Sequence, residues 1–311
     1  MGAKIVVVGS LNMDLICRAP HIPAPGETVL GQQFSTAAGG KGANQAVAAA
    51  RLGAQVAMVG RVGGDLFADQ LLDNLTAAKV NHTHVLRDKQ ATSGVALIVV
   101  DEAGQNSIVV APGANARLTP ANVEAAEEAI KGVDLVLLQL EVPLDTVCRA
   151  AQIARQHGVK VILNPAPAQP LPDGLLALID ILIPNESETA LLTGMPTGSQ
   201  AEIETAAARL RQSGIGTVIL TMGERGALLA REGESIQFAP FVPAYVVDTT
   251  AAGDAFVGGF ATALAEGKSI VDAVPWGNAA GSLAVTRLGA QPSLPTRAEV
   301  EALLVQATSR Q

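Results

Sequence analysis

An alternation of two kinds of segment constrains this chain more than any other feature. Short apolar runs rich in Val, Ile and Leu fall at 5–8, 56–59, 135–140, 159–163, 181–183 and 218–221. A run that is apolar at nearly every position suits a strand with both faces covered, as in a parallel sheet between helix layers. Between the runs lie alanine-rich, helix-compatible segments at 42–52, 65–78, 119–130, 144–157 and 200–213. This βαβα rhythm predicts an α/β fold: a doubly wound, mostly parallel sheet flanked by helices. Two stretches break it. Residues 11–36 hold no helical pattern, with Gly26-Glu27-Thr28 reading as a turn into a strand. Residues 94–110 read as a hairpin turning at Asp101-Glu102-Ala103-Gly104. They can form a small sheet apart from the main one. Helices are expected again at 253–266, 270–286 and 296–308, the last opened by Thr296 with Glu299 at capping-box spacing.

Composition narrows the function classes. With 21 basic and 29 acidic residues the formal charge is −8, and no basic patch suits a nucleic-acid phosphate backbone. Hydrophobic residues at 49 % against 16 % charged exclude a disordered chain. No apolar run approaches the roughly 18 residues of a membrane span. Cys17 and Cys148 are too few and too far apart for a disulfide framework or a zinc site, so a reducing, cytoplasmic setting is expected. The four histidines show no metal spacing, and His82 with His84 reads as surface.

Phosphate-loop and dinucleotide glycine patterns are absent: Gly42, not Ser or Thr, follows Gly40-Lys41. Two other segments carry chemistry. Ala38-Gly39-Gly40-Lys41-Gly42-Ala43-Asn44-Gln45-Ala46 places three glycines and a lysine before an alanine-rich helix. It is either an ordinary helix entry or a backbone that admits a small polar ligand closely. In the run Asp248 to Gly259, small residues open a helix, so the amides of Ala251, Ala252 and Gly253 can form an anion hole beside Asp254. Asp254 is either a base for a hydroxyl proton or an acid favoured by the helix dipole. Asn12 and Asp14 follow the first strand, where open α/β sheets bind ligands. Asn185 and Glu188 open a helix after another strand, either as caps or beside a magnesium-bound phosphate. Gly223 and Gly226 after Thr221 either admit a nucleotide or make a hairpin turn.

Together the segments resemble the ribokinase-like, or PfkB, carbohydrate kinases. The Gly39-to-Asn44 box resembles the family's first signature and the Asp248-to-Gly259 box its second, and the resemblance runs from Lys4 to about Pro295. It implies a large domain of 1–10, 37–93 and 111–311 and a small β-sheet lid of 11–36 and 94–110 that pairs two subunits as a homodimer. It implies ATP-dependent phosphorylation of a sugar, with the Gly-Gly-Lys-Gly-Ala-Asn box pointing to the 5-hydroxyl of D-ribose. Asn12, Asp14, Gly40, Lys41, Asn44 and Glu141 then hold the sugar, and Asp254 is the general base beside the Ala251, Ala252 and Gly253 anion hole. Asn185, Thr221, Gly223, Gly226, Gly253 and Asn278 fall where the family binds ATP, many members having His at the Asn278 position. Glu188 matches an acidic residue tied indirectly to magnesium. Asp248, Thr250, Ala284, Arg287, Gly289 and Ser293 match a potassium site, mostly through backbone carbonyls. Met13 stands where many members carry a small residue. Beside the sugar it would fill the space of a missing hydroxyl and favour 2-deoxyribose; otherwise it points into the core. A nucleoside kinase would want a more aromatic pocket than 3 % aromatics supply, and a sugar sensor without catalysis would lack the base.

Overall fold

The computed structural model describes residues 2–308. In chain order the elements are β1 (Lys4–Val8), β2 (Asn12–Arg18), β3 (Gln33–Gly39), α1 (Lys41–Arg51), β4 (Gln55–Gly63), α2 (Leu66–Ala77), β5 (Asn81–Asp88), β6 (Gly94–Val100) and β7 (Asn106–Ala111). There follow α3 (Pro120–Glu124), α4 (Glu127–Ile130), β8 (Leu135–Leu138), α5 (Leu144–Gln156), β9 (Lys160–Leu163), α6 (Asp173–Leu176), β10 (Ile181–Leu182), α7 (Glu186–Thr193), α8 (Gln200–Gln212) and β11 (Thr217–Thr221). The chain ends with β12 (Ala227–Arg231), β13 (Glu234–Phe238), α9 (Ala252–Ala265), α10 (Ile270–Ala284), α11 (Ala290–Ser293) and α12 (Arg297–Thr308).

The large sheet has the order β13-β12-β11-β10-β9-β8-β1-β4-β5. Neighbours from β11 to β5 pair in parallel, and β12 and β13 add an antiparallel edge. Period-two alternation divides its side chains between two cores. Ile5, Val7, Leu135 and Leu137 join one apolar cluster with α1, α9 and α10, while Val6, Val8, Val136 and Leu138 join the other with α5 and α8. Each such burial is worth about 1.5–3 kcal/mol, which is why these strands read apolar throughout. Strand order reverses at β1, which lies between β8 and β4, so the crevice of a doubly wound sheet opens at the C-terminal ends of β1 and β8.

The four strands β3-β2-β6-β7 form a second sheet, with β2 parallel to β6 and antiparallel pairs outside. Its base row, Asn12 beside Gly39 and Gly94, stands directly past the end of β1. Several details differ from the sequence expectation. The second strand of this sheet starts at Gln33 rather than near Gly26-Glu27-Thr28, and it runs to Gly39. The helix expected over 119–130 is two short ones, broken at Ala125 and Ala126. Edge strands β5 and β13 do not stand out in the apolar pattern, because each buries only part of its length and so alternates with polar residues. His82 and His84 lie half-buried on β5, and His82 meets the Thr76 hydroxyl at 2.9 Å. No helix among the described residues is long and apolar enough to cross a membrane.

Candidate active site

The turn after β1 is clamped by a buried side-chain amide, that of Asn115. Asn115 Oδ1 accepts from the Leu11 amide at 3.0 Å, and its Nδ2 donates to the Leu11 carbonyl at 3.0 Å and to Asn12 Oδ1 at 2.7 Å. Glu141, three residues past β8, gathers the neighbouring donors on one oxygen. Its Oε2 accepts from the Ser10 hydroxyl at 2.5 Å, the Lys41 amide at 3.1 Å and Asn12 Nδ2 at 3.4 Å. Gly40 completes the packing: its φ is +87°, and a Cβ there would lie 2.7 Å from the Asn12 amide. Asn12, Gly40, Lys41 and Glu141 therefore converge as expected. Asp14 joins them from β2, only 6 % exposed. Met13 points to the opposite face of β2, is 2 % exposed and belongs to the apolar core, so it lines no sugar pocket.

Two helix starts meet across this crevice. On α1, Asn44 Nδ2 donates to Asp254 Oδ2 at 2.9 Å, and Gln45 Nε2 donates to Asp254 Oδ1 at 3.0 Å. Gln45 is not singled out by sequence, and neither are Gln139 and Asn164, which hold it. Gln139 Nε2 donates to Gln45 Oε1 at 2.6 Å, and Gln45 Nε2 also reaches Asn164 Oδ1 at 3.1 Å. Buried Asn44 Oδ1 has no partner among the described residues, leaving an acceptor for a ligand hydroxyl. Glycine lets these helices touch: a Cβ on Gly258 of α9 would lie 2.5 Å from Ala48 Cβ.

Asp254 sits in the first turn of α9. Ala251, its N-cap, holds a left-handed φ of +59° without being glycine, a strained conformation that turns the loop into the helix. The amides of Ala251 and Gly253 find no acceptor among the described residues, whereas Ala252 donates weakly to the Thr249 carbonyl at 3.3 Å. Burial pushes the Asp254 carboxyl above its ordinary range, opposed by Lys41 and by the hydrogen bonds from Asn44 and Gln45. For the Lys41 ammonium, burial acts downward, but Asp254, Glu141, Glu188 and Asp14 outweigh it and raise it. Burial, with Glu141 and Asp254, pushes Asp14 up to about 7.

On the other flank, Asn185 caps α7. Its Oδ1 accepts from the Glu188 amide at 2.8 Å, and Glu188 Oε2 accepts from the Asn185 amide at 2.8 Å. Capping is thus what these two residues do here, yet burial raises Glu188 while Lys41 opposes and Asp254 reinforces that shift, so its carboxylate also feels the site. Thr221 bridges to Asn185. Gly223 stands in open space at φ +53°; Gly226, at φ +85°, lets the Phe238 carbonyl pass where a Cβ would sit. Asn278 Nδ2 is occupied by the Ala239 carbonyl at 3.2 Å. Asp248 ties two loops together: Oδ1 accepts from the Thr250 amide and hydroxyl at 2.9 and 2.6 Å, and Oδ2 from the Gly289 amide at 2.8 Å. Ala284 and Arg287 share a turn bond, the Arg287 side chain pairs with Glu299, and Ser293 donates to the Ala290 carbonyl.

The buried charged and polar groups thus gather at the C-terminal strand ends. The groove of about 570 Å³ lined by Lys4, Gln55, Lys79 and Asn81 lies at the opposite ends and brings no comparable set together.

Comparison with known proteins shows the family. The family model for pfkB family carbohydrate kinases matches residues 2–297. A ribokinase of Haemophilus influenzae is 46 % identical over 96 % of this chain and 97 % of its own. A deoxyribokinase of Salmonella typhi is 40 % identical over 94 % and 95 %. The structure of Arabidopsis thaliana ribokinase complexed with ribose and ATP superposes with a TM-score of 0.92 at 38 % identity, covering 98 % of this chain and 99 % of that one. The chain belongs to the pfkB family of carbohydrate kinases.

Proposed function

We propose that this kinase transfers the γ-phosphoryl group of ATP to the 5-hydroxyl of D-ribose. The observation that carries the reading is Asp254: a buried carboxylate at the start of α9, beside the free amides of Ala251 and Gly253 and facing the polar groups of β2 and α1. Asn12, Asp14, the unpaired Asn44 Oδ1 and the Gly40-Lys41 backbone orient the sugar hydroxyls, while Glu141 acts mainly by fixing Asn12 and the Lys41 amide. Asp254 accepts the proton of the primary hydroxyl as that oxygen bonds to the γ-phosphorus. The bond from that phosphorus to the β–γ bridging oxygen breaks, and ADP leaves. Free helix-start amides and Lys41 stabilise the charge that builds on the phosphoryl oxygens. Asn185, Thr221, Gly223, Gly226, Gly253 and Asn278 border the nucleotide, chiefly through backbone, since the polar side-chain atoms described above are engaged in caps and loop bonds.

Magnesium carried by the nucleotide would neutralise phosphate charge. Glu188, with one oxygen held by its cap, leaves the other for a metal-bound water. Asp248, Thr250, Ala284, Arg287, Gly289 and Ser293 offer one carboxylate among carbonyl and hydroxyl oxygens. That donor set suits a singly charged ion such as potassium better than a divalent one, and such an ion would brace the loop leading to Ala251. The small sheet serves as a lid over the sugar and as a homodimer surface, since Phe34, Leu97, Ile108 and Val109 are each at least half exposed on it. We place the enzyme in the cytoplasm, a reducing setting that suits the free thiols of Cys17 and Cys148.

ADP release is measured with D-ribose, 2-deoxyribose, fructose and adenosine, with and without potassium. Ribose-led turnover stimulated by potassium is expected. In Asp254→Asn, kcat falls at least about a hundredfold while ribose affinity is kept. Near-normal turnover in that variant overturns the mechanism, and a preference for another acceptor overturns the substrate.

A further inference from the structure

We propose that Gln45, fixed in one orientation by Gln139 and Asn164, is a positioning residue for Asp254. The inference rests on Asp254 as general base and extends it to groups outside the two signature boxes' assigned roles. A side-chain amide has the same shape either way round, but only one way presents a donor to a carboxylate. Reversed, Gln45 would set its oxygen against Asp254 Oδ1 and lose that bond. Here the orientation is anchored by a main-chain carbonyl that can only accept. Ile183 O accepts from Asn164 Nδ2 at 2.9 Å, which turns Asn164 Oδ1 toward Gln45. Gln45 Nε2 then spends one hydrogen on Asn164 and the other on Asp254, and its Oε1 accepts from Gln139.

Gln139, Asn164 and Ile183 immediately follow β8, β9 and β10, three adjacent strands. The sheet therefore delivers one polarised amide chain to the base. Gln45 and Gln139 are fully buried, so no water substitutes freely for a lost member. With Asn44 on Oδ2 and Gln45 on Oδ1, each carboxylate oxygen carries one donor and the carboxylate plane is fixed. The charged groups facing Asp254 are Lys41 on α1, Glu141 after β8, Asp14 on β2 and Glu188 on α7. Three of these four disfavour the anion, so the neutral donors Asn44 and Gln45 matter to keeping it.

The test is kcat across about pH 5.5–9 at saturating sugar and ATP, where the acid limb reports groups in the bound complex. Gln45→Met keeps the volume and removes the donor. Its neutral-pH kcat is expected to fall about tenfold, its acid limb to move up by about one pH unit, and its ribose KM to stay within about threefold. Asn164→Leu, which does not touch Asp254, should move kcat and limb in the same directions by less. An unchanged limb and kcat in Gln45→Met overturn the proposal, as does a raised KM with kcat intact. If Gln45→Met does not fold, an unchanged limb in Asn164→Leu overturns it. Near-normal turnover in Asp254→Asn refutes the base reading itself, independently of Gln45.

Discussion

Replacing Asp14 by Asn should stabilise the ligand-free protein, and only above acidic pH. The Asp14 carboxyl is pushed from 3.8 to about 7, first by burial, then by Glu141 and Asp254, against the pull of Lys41. A carboxyl raised in the folded state inverts the usual acid dependence. Below about pH 4 it is protonated in both states and costs nothing. Between about 4 and 7 the unfolded chain has ionised while the folded one still holds its proton, so stability falls as pH rises. Above 7 the penalty is complete. About 3 pH units at 1.36 kcal/mol each set an upper bound of about 4 kcal/mol. For a chain of this length that corresponds to a Tm shift of at most about 6 °C. The neutral amide of the variant carries no such penalty and fits the same space. Thermal unfolding at pH 4 and pH 8 checks it: Asp14→Asn should match the parent at pH 4 and exceed it at pH 8, while its ribose affinity drops by about tenfold or more. Equal stability at pH 8, or a gain of the same size at pH 4, refutes the reasoning. The outcome expected is a residue kept for the sugar at a cost to the fold.

Asn115→Leu would leave the buried Leu11 amide and carbonyl without partners and free Asn12. A loss of about 2–4 kcal/mol in denaturant unfolding is expected, with a raised ribose KM; unchanged KM would separate Asn115 from the sugar site. Leu97 and Val109 pair across β6 and β7 and are 50 % and 62 % exposed. The double variant Leu97→Glu, Val109→Glu should sediment as a monomer where the parent is a dimer; a parent that is already monomeric removes the dimer proposal.

The main sheet is legible because strands covered on both faces must be apolar at nearly every position. The edge strands β13 and β5 are not, since partial burial dilutes that signal, and β12, though buried at four of its five positions, offers only Ala-Leu-Leu-Ala with no β-branched residue to mark it as a strand. Site residues are legible where glycines mark close backbone approach, as at Gly40, or where small residues precede an acid, as at Asp254. Roles are less legible than positions. Glu141 reads as a sugar ligand, yet one of its oxygens is already committed to Ser10, Asn12 and the Lys41 amide. Asn185 and Glu188 carry their capping spacing in the open, and capping is what the structure shows.

What sequence pattern hides is a class of residue rather than a place. Asn115, Gln45, Gln139 and Asn164 are buried or half-buried amides with no fixed spacing to the groups they serve, 103 residues separating Asn115 from Asn12 and 119 separating Asn164 from Gln45. Asn115, Gln45 and Asn164 bond at both ends of the amide and Gln139 through its nitrogen alone, so each links elements that the sheet brings together. A carboxylate can exert its field from several ångströms away, but an amide acts only through contact and orientation. The charged and glycine-rich residues therefore announce the chemistry in the sequence. The amides that hold those residues in register become visible only when the ends of β1, β8, β9 and β10 stand side by side.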